Sequence, residues 1–273
     1  MGERRPGSLD DVNRSGFPFQ IAIEHFIKAR KTEPPWRVVA SEVPWSGGYA
    51  DLVIRYGRVI AVIECKRCHD QTWTFLVEDS SEPQVTAGRA LYHRQWYGRE
   101  ILDREFLRQV IDVDIDWVEP SFESRYCVVA PRKDNPIREL EGIASELVAA
   151  CHDLADGPGR HHETEIELTV PVLVTTASLS ICRYKLGSID LKSGTIADGR
   201  IEPIDMIRFR KPLSTDLESI EGRTPAALGL GPRAARQERT VFVVTPDGLE
   251  RFLFGARRVL AQDPYDPQFA SMT

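Results

Sequence analysis

The sequence predicts an α/β fold, a mixed sheet flanked by helices with an elaborated C-terminal half. Two observations lead there. The runs come in the order helix, three strands, helix, strand, followed by further strands and helices, which calls for helices packed on a sheet. Apolar residues make up 42% of the 273 and charged residues 28%, the balance of a chain that buries a core rather than staying disordered.

The first fifteen residues are polar, with Pro6 and Gly7, and read as a flexible tail, as do residues 263–273. Phe17 to Lys31 places Phe19, Ile23, Phe26 and Ile27 on one helical face, and Pro34-Pro35 stops it. Strands are expected over Trp36–Val43, Tyr49–Tyr56 and Arg58–Lys66, with turns at Gly47-Gly48 and Tyr56-Gly57. After a polar loop, the charged stretch Glu82–Val110 suits one or two helices. Ser124–Ala130 reads as a buried strand and Ile137–Leu154 as an amphipathic helix. Asp156–His162 (DGPGRHH) is a loop. Strands follow over Thr164–Thr175, Leu179–Leu186, Ile201–Phe209 and Thr240–Val244, with a connection over Gly222–Arg239 and a helix over Pro246–Leu260. No linker forces a boundary. One domain is expected over residues 16–262, with a core over about 16–132 and an extension over about 133–262.

The 35 Lys and Arg against 41 Asp and Glu give a net charge of −6, so a broadly basic nucleic-acid-binding surface is excluded and phosphate contacts would be confined to patches. The opening MGERRPGSLDDVNRSG has no apolar run of a secretory leader, and Val170–Ile181 is too short and too often broken by Thr and Ser to span a bilayer. A cytoplasmic protein with no membrane partner is expected. Five irregularly spaced cysteines do not form a secreted disulfide framework.

The chemistry is concentrated in Gly48-Tyr-Ala-Asp51-Leu-Val-Ile and in Val59-Ile-Ala-Val-Ile-Glu64-Cys65-Lys66. Glu64 and Lys66, two apart on a strand, share a face, while Cys65 points to the other. Charges at the end of so apolar a run are costly to bury without a task or a partner. A turn at Gly57-Arg58 would pair residues whose numbers sum to 115, setting Asp51 opposite Glu64 with Cβ atoms about 5 Å apart; a slip of one or two would set it opposite Ile63 or Val62 instead. Two carboxylates that close repel unless a cation lies between them, and Mg²⁺, held by one or two carboxylates plus water, resolves the repulsion. Lys66 beside them would orient a water or stabilise charge on a phosphate oxygen.

These residues resemble the PD-(D/E)xK nuclease superfamily and its restriction-endonuclease-like αβββαβ core, over about residues 17–130. The resemblance implies a Mg²⁺-dependent (or Mn²⁺-dependent) phosphodiester hydrolase. Asp51 and Glu64 would be metal ligands, the Cys65 backbone carbonyl a further ligand, Lys66 the catalytic cation and Glu24 on the first helix an assisting acid. It implies a nucleic-acid partner, DNA ahead of RNA, a role in restriction or defence, and a possible homodimer. Two departures stand out: Ala50 replaces the name-giving proline, and Gly88 follows Gln84 where exonuclease-type members carry tyrosine. The alternative is a catalytically silent binding module on the same fold.

Cys65-Lys-Arg-Cys68-His69 also matches a haem-attachment pattern, and Cys65 with Cys68 could form half a zinc site completed by Cys151-His152 or His161-His162. The simpler expectation is a chance match, with Cys127, Cys151 and Cys182 buried as small apolar groups. Basic groups at Lys28/Arg30/Lys31, Arg89/Arg94/Arg99, Arg208/Arg210/Lys211 and Arg233/Arg236/Arg239 read as solvated faces, some of which would line a path for DNA. Trp73, Phe75, Trp96 and Tyr97 are expected in the core, with base stacking as the alternative.

Overall fold

The computed structural model describes residues 8–29, 35–96, 107–131, 136–156, 167–212, 238–255 and 260–261. It is an α/β protein with two sheets. Two helices open the chain, α1 (Leu9–Arg14) and α2 (Phe17–Ala29), and three strands follow: β1 (Arg37–Trp45), β2 (Gly48–Tyr56) and β3 (Val59–Lys66). The first helix falls in the stretch expected to be a flexible tail. Ser8 caps it, accepting from the Asp11 amide while the Asp11 carboxylate accepts from Ser8 N–H, a reciprocal capping box. The β2–β3 hairpin closes in a two-residue turn with Gly57 at φ 54, the positive φ that the first position of a type II′ turn requires.

Within the stretch expected to be helical over Glu82–Val110, the described residues instead form a strand pair, β5 (Gln84–Trp96) with β6 (Leu107–Ser124); residues 97–106 lie outside the described residues. The deciding pattern is Ile111-Asp-Val-Asp-Ile-Asp-Trp117, a strict alternation that suits a strand and no helix face. Likewise the supposed polar loop after Lys66 holds β4 (Thr72–Glu78), whose Trp73, Phe75 and Val77 are buried on one face. Both aromatics therefore belong to the core; Tyr97 lies outside the described residues. Residues 201–209, expected as one strand, divide into β10 (Arg200–Pro203) and β11 (Met206–Pro212), which belong to different sheets.

The remaining elements are β7 (Cys127–Ala130), α3 (Pro136–Asp156), β8 (Glu167–Thr175), β9 (Ser178–Tyr184), β12 (Glu238–Val244), α4 (Pro246–Gly255) and β13 (Leu260–Ala261). The larger sheet runs β1-β2-β3-β8-β12-β11-β6-β13, with β5 against β6 and β8; the smaller runs β10-β9-β4-β7. β2 runs antiparallel to its neighbours β1 and β3, while β3 and β8 are parallel in register from Val59↔Leu168 to Lys66↔Thr175. A parallel neighbour needs a crossover. Here α3 lies within that crossover and packs on both β3 and β8. The helix and strand that follow the three-strand meander in the sheet are thus α3 and β8, not the segments over 82–110 and 124–130.

Each central strand contributes to two cores. Ala61 and Ile63 of β3, Val172 and Val174 of β8, and Phe242 and Val244 of β12 pack with Ile23 and Ile27 of α2 and Phe252 of α4. Their neighbours Val62, Leu173, Val241 and Val243 pack with Leu140, Ala144 and Leu147 of α3 and with the smaller sheet. Strands covered on both faces read as unbroken apolar runs, and burying each such Leu, Ile or Val contributes about 1.5–3 kcal/mol. Among the described residues, no helix is long and apolar enough to cross a membrane.

Candidate active site

The hairpin ladders align three acids at one level. Ser41↔Leu52 and Val43↔Ala50 bracket Glu42 against Asp51, and the last rung Leu52↔Ile63, carried one residue further, puts Asp51 at the level of Glu64. The numbers 52 and 63 sum to 115, the register expected from the turn.

At this level the sheet opens. Ala50 packs in the α3-side core and Leu52 in the α2-side core, although residues two apart on a regular strand share a face. β2 therefore turns over at Asp51. Across from it, Glu42 has φ 52, in the left-handed region that a residue with a side chain seldom adopts. The β2–β3 ladder ends at Leu52↔Ile63, and the Cys65 amide, on the β2-facing side, donates to Asp51 Oδ2 at 2.7 Å. The carboxylate has taken the place of a ladder carbonyl. The N–H and C=O of one strand residue point to the same side in the sheet plane, so the Cys65 carbonyl also faces β2 and Asp51. β3 stays regular against β8 through Lys66, whose carbonyl accepts from Thr176 N–H at 3.1 Å. Glu64 and Lys66 accordingly share the α3 side.

Electrostatics mark the same group. Burial raises the Asp51 carboxyl above its ordinary value; the Cys65 amide opposes this and the Glu42 charge adds to it. Burial, followed by the Asp51 charge, pushes Glu64 up to about 7, with smaller contributions from Glu146 on α3 and from Glu42; Lys66 acts in the opposite direction. Burial also raises the Cys65 thiol, which stays protonated and inert.

Glu24 stands apart. It pairs with Lys28 one turn along α2 and receives a hydrogen bond from Ser41, and these lower its pKa, the Lys28 contact most. The glutamates whose charges act on Asp51 or Glu64 are Glu42 and Glu146. Applying the pairing arithmetic to the first hairpin, whose turn is Ser46-Gly47, finds Glu42 opposite Asp51. Glu146 has no comparable signal in sequence, because only the crossover of α3 brings it near.

Among the described residues no three His, Cys, Asp or Glu side chains converge as a ready ligand set. Two carboxylates and a backbone carbonyl are hard oxygen donors, however, and Mg²⁺ takes one or two carboxylates and completes its shell with water. The burial of both carboxyls, with the Asp51 charge further opposing that of Glu64, is the observation such an ion would relieve. The residues fit Mg²⁺ or Mn²⁺.

Comparisons with protein-family models, with curated proteins and with solved structures gave no match.

The cysteine readings do not survive the fold. Cys65 packs in the α2-side core, whereas Cys68 packs against the α3-side core that also holds Cys151. The sheet separates Cys65 from the other two, so neither a two-thiol attachment nor a Cys65–Cys68 zinc pair can form; His161 and His162 lie outside the described residues. Burial pushes Cys127 up to about 12 and raises Cys151 well above its ordinary value. Arg208 and Arg239 are buried, and Arg210 pairs with Glu123 and Glu238, so these three belong to an internal network rather than to a surface path for phosphates.

Proposed function

We propose that this chain is a metal-dependent nuclease of the PD-(D/E)xK type, acting on DNA. The observation that carries the reading is that Asp51 and Glu64 each lie one residue beyond the last rung Leu52↔Ile63 of two antiparallel strands, where the ladder opens and the Asp51 charge acts on Glu64, with Lys66 on Glu64's face. With β4 to β7 inserted between β3 and α3, the elements α2, β1, β2, β3, α3 and β8 follow one another in αβββαβ sequence, and β3 lies parallel to β8, which supports the reading. In this reading Asp51, Glu64 and the Cys65 carbonyl would hold Mg²⁺ or Mn²⁺, and the ion would supply charge stabilisation and a more acidic water.

The chain's own residues do the rest. The Cys65 amide fixes Oδ2 of Asp51. Lys66 presents a positive charge beside the carboxylates, suited to orienting the attacking water or to stabilising a phosphate oxygen as charge develops. A location in the cytoplasm and a place in restriction or defence belong to the same proposal.

Incubating the protein with plasmid, linear DNA and RNA, in Mg²⁺, Mn²⁺ or excess chelator, tests it. Cleavage in either metal that vanishes in chelator and in Asp51→Asn supports a nuclease. Mn²⁺ and DNA binding without cleavage would favour the silent binding module.

A further inference from the structure

Gln20 lies on α2, is only 8% exposed, and reaches across to both strands of the first hairpin. Its Nε2 donates to Glu42 Oε1 at 2.6 Å and to the Asp51 backbone carbonyl at 3.1 Å. Both partners are acceptors, so only an amide nitrogen serves: a glutamate here would set carboxylate against carboxylate and carbonyl. Both contacts fall on residues at which the strands depart from regular geometry. Glu42 sits in left-handed backbone, and Asp51 is where β2 changes face. At Asp51 the grip is on the main chain, so the side chain stays available to the Cys65 amide and to the site.

We propose that Gln20 is a positioning residue of the nuclease site, clamping Glu42 and the Asp51 main chain so that the Asp51 carboxylate is held toward Cys65 and Glu64. The inference rests on the nuclease reading for its purpose but makes a structural claim of its own. Gln20 does not touch the reacting atoms; it acts through Asp51. A helix amide therefore sets the aim of a carboxylate carried by a strand. A conservative change in size that removes the amide should impair the site while leaving the fold in place.

The test uses the full chain and Mn²⁺ alone. Wild type, Gln20→Met and Asp51→Asn are compared by calorimetric Mn²⁺ titration, and wild type and Gln20→Met by amide hydrogen exchange. Gln20→Met should melt cooperatively, bind Mn²⁺ about tenfold more weakly, the scale of losing a group that orients a ligand, and exchange the Cys65 amide faster, with the Ile54 and Ala61 amides unchanged. Should Gln20→Met not fold, Gln20→Asn, too short to reach both partners, is judged by the same measures. A folded variant with wild-type Mn²⁺ affinity overturns the proposal, whether or not Cys65 exchange changes. If the wild type itself fails to bind Mn²⁺, or Asp51→Asn binds it unchanged, the nuclease reading fails. The exchange measurement then decides separately whether Gln20 holds Asp51: unchanged Cys65 protection overturns the clamp as well, and faster exchange upholds it.

Discussion

Glu64 sits where both burial and a neighbouring carboxylate oppose its charge, and its pKa of about 7 against an ordinary 4.5 has a definite consequence for stability. Between those values the folded chain holds a proton that the unfolded chain has released, so the metal-free protein loses stability as pH rises from about 4.5 through about 7. The loss is on the order of 2–3 kcal/mol. Chemical denaturation across that range should show it, and Glu64→Gln should remove most of the slope and leave the metal-free protein more stable than wild type at pH 8. Since a bound cation must displace the same proton, Mg²⁺ affinity should climb with pH and level off above about 7. The neighbouring residues separate by role. Asp51→Asn should weaken Mn²⁺ binding and abolish cleavage. Lys66→Ala should keep or improve Mn²⁺ binding but reduce cleavage by about 10²-fold or more, the scale of losing a positioned acid–base or electrostatic group. Cys65→Ser should change cleavage little, because its side chain lies in the α2-side core and its backbone makes the contacts. Calorimetry and a cleavage assay on the same variants check all three.

At the scale of elements, legibility followed the period of the pattern. α2, the β1–β2–β3 meander, α3 and α4 could be read because their apolar spacing, turns and stops agree. Thr245-Pro246 announces α4 in the usual way: the Thr245 hydroxyl accepts from the Gly248 amide at 3.1 Å, with Pro246 at the first helical position. β5 was misread because its charges mask any alternation, and its strand state depends on the ladder to β6, a contact that local spacing does not encode. α1 was missed although Ser8-x-x-Asp11 spells its cap. One close approach makes a direct test of how the elements pack. A Cβ at Gly248 would meet Asp205 O at 2.3 Å, backbone that cannot step aside cheaply. Gly248→Ala should cost about 1–3 kcal/mol, seen as a lower melting midpoint, without changing Mn²⁺ affinity, since α4 lies on the opposite face of the sheet from Glu64 and Lys66.

For the molecule as a whole, the alignment of Asp51, Glu64 and Lys66 in the candidate site was legible because strand alternation and one hairpin register suffice to bring those residues together. Glu42 was within reach of the same arithmetic. Gln20 and Glu146 were not, because one arrives through helix packing and the other through a crossover that ends more than a hundred residues after β3 begins. The basic residues behaved differently again: Arg208, Arg210 and Arg239 looked like a surface stripe in sequence and lie in an internal network in the fold. The central claim is that Asp51 and Glu64 hold a divalent ion for phosphodiester cleavage. A single plasmid-cleavage assay in Mn²⁺, run with wild type, Asp51→Asn and wild type in excess chelator, tests it most directly. The account predicts nicked or linear product from the wild type in Mn²⁺ and intact plasmid in the other two lanes. Equal cleavage by Asp51→Asn, or undiminished cleavage in chelator, would contradict it.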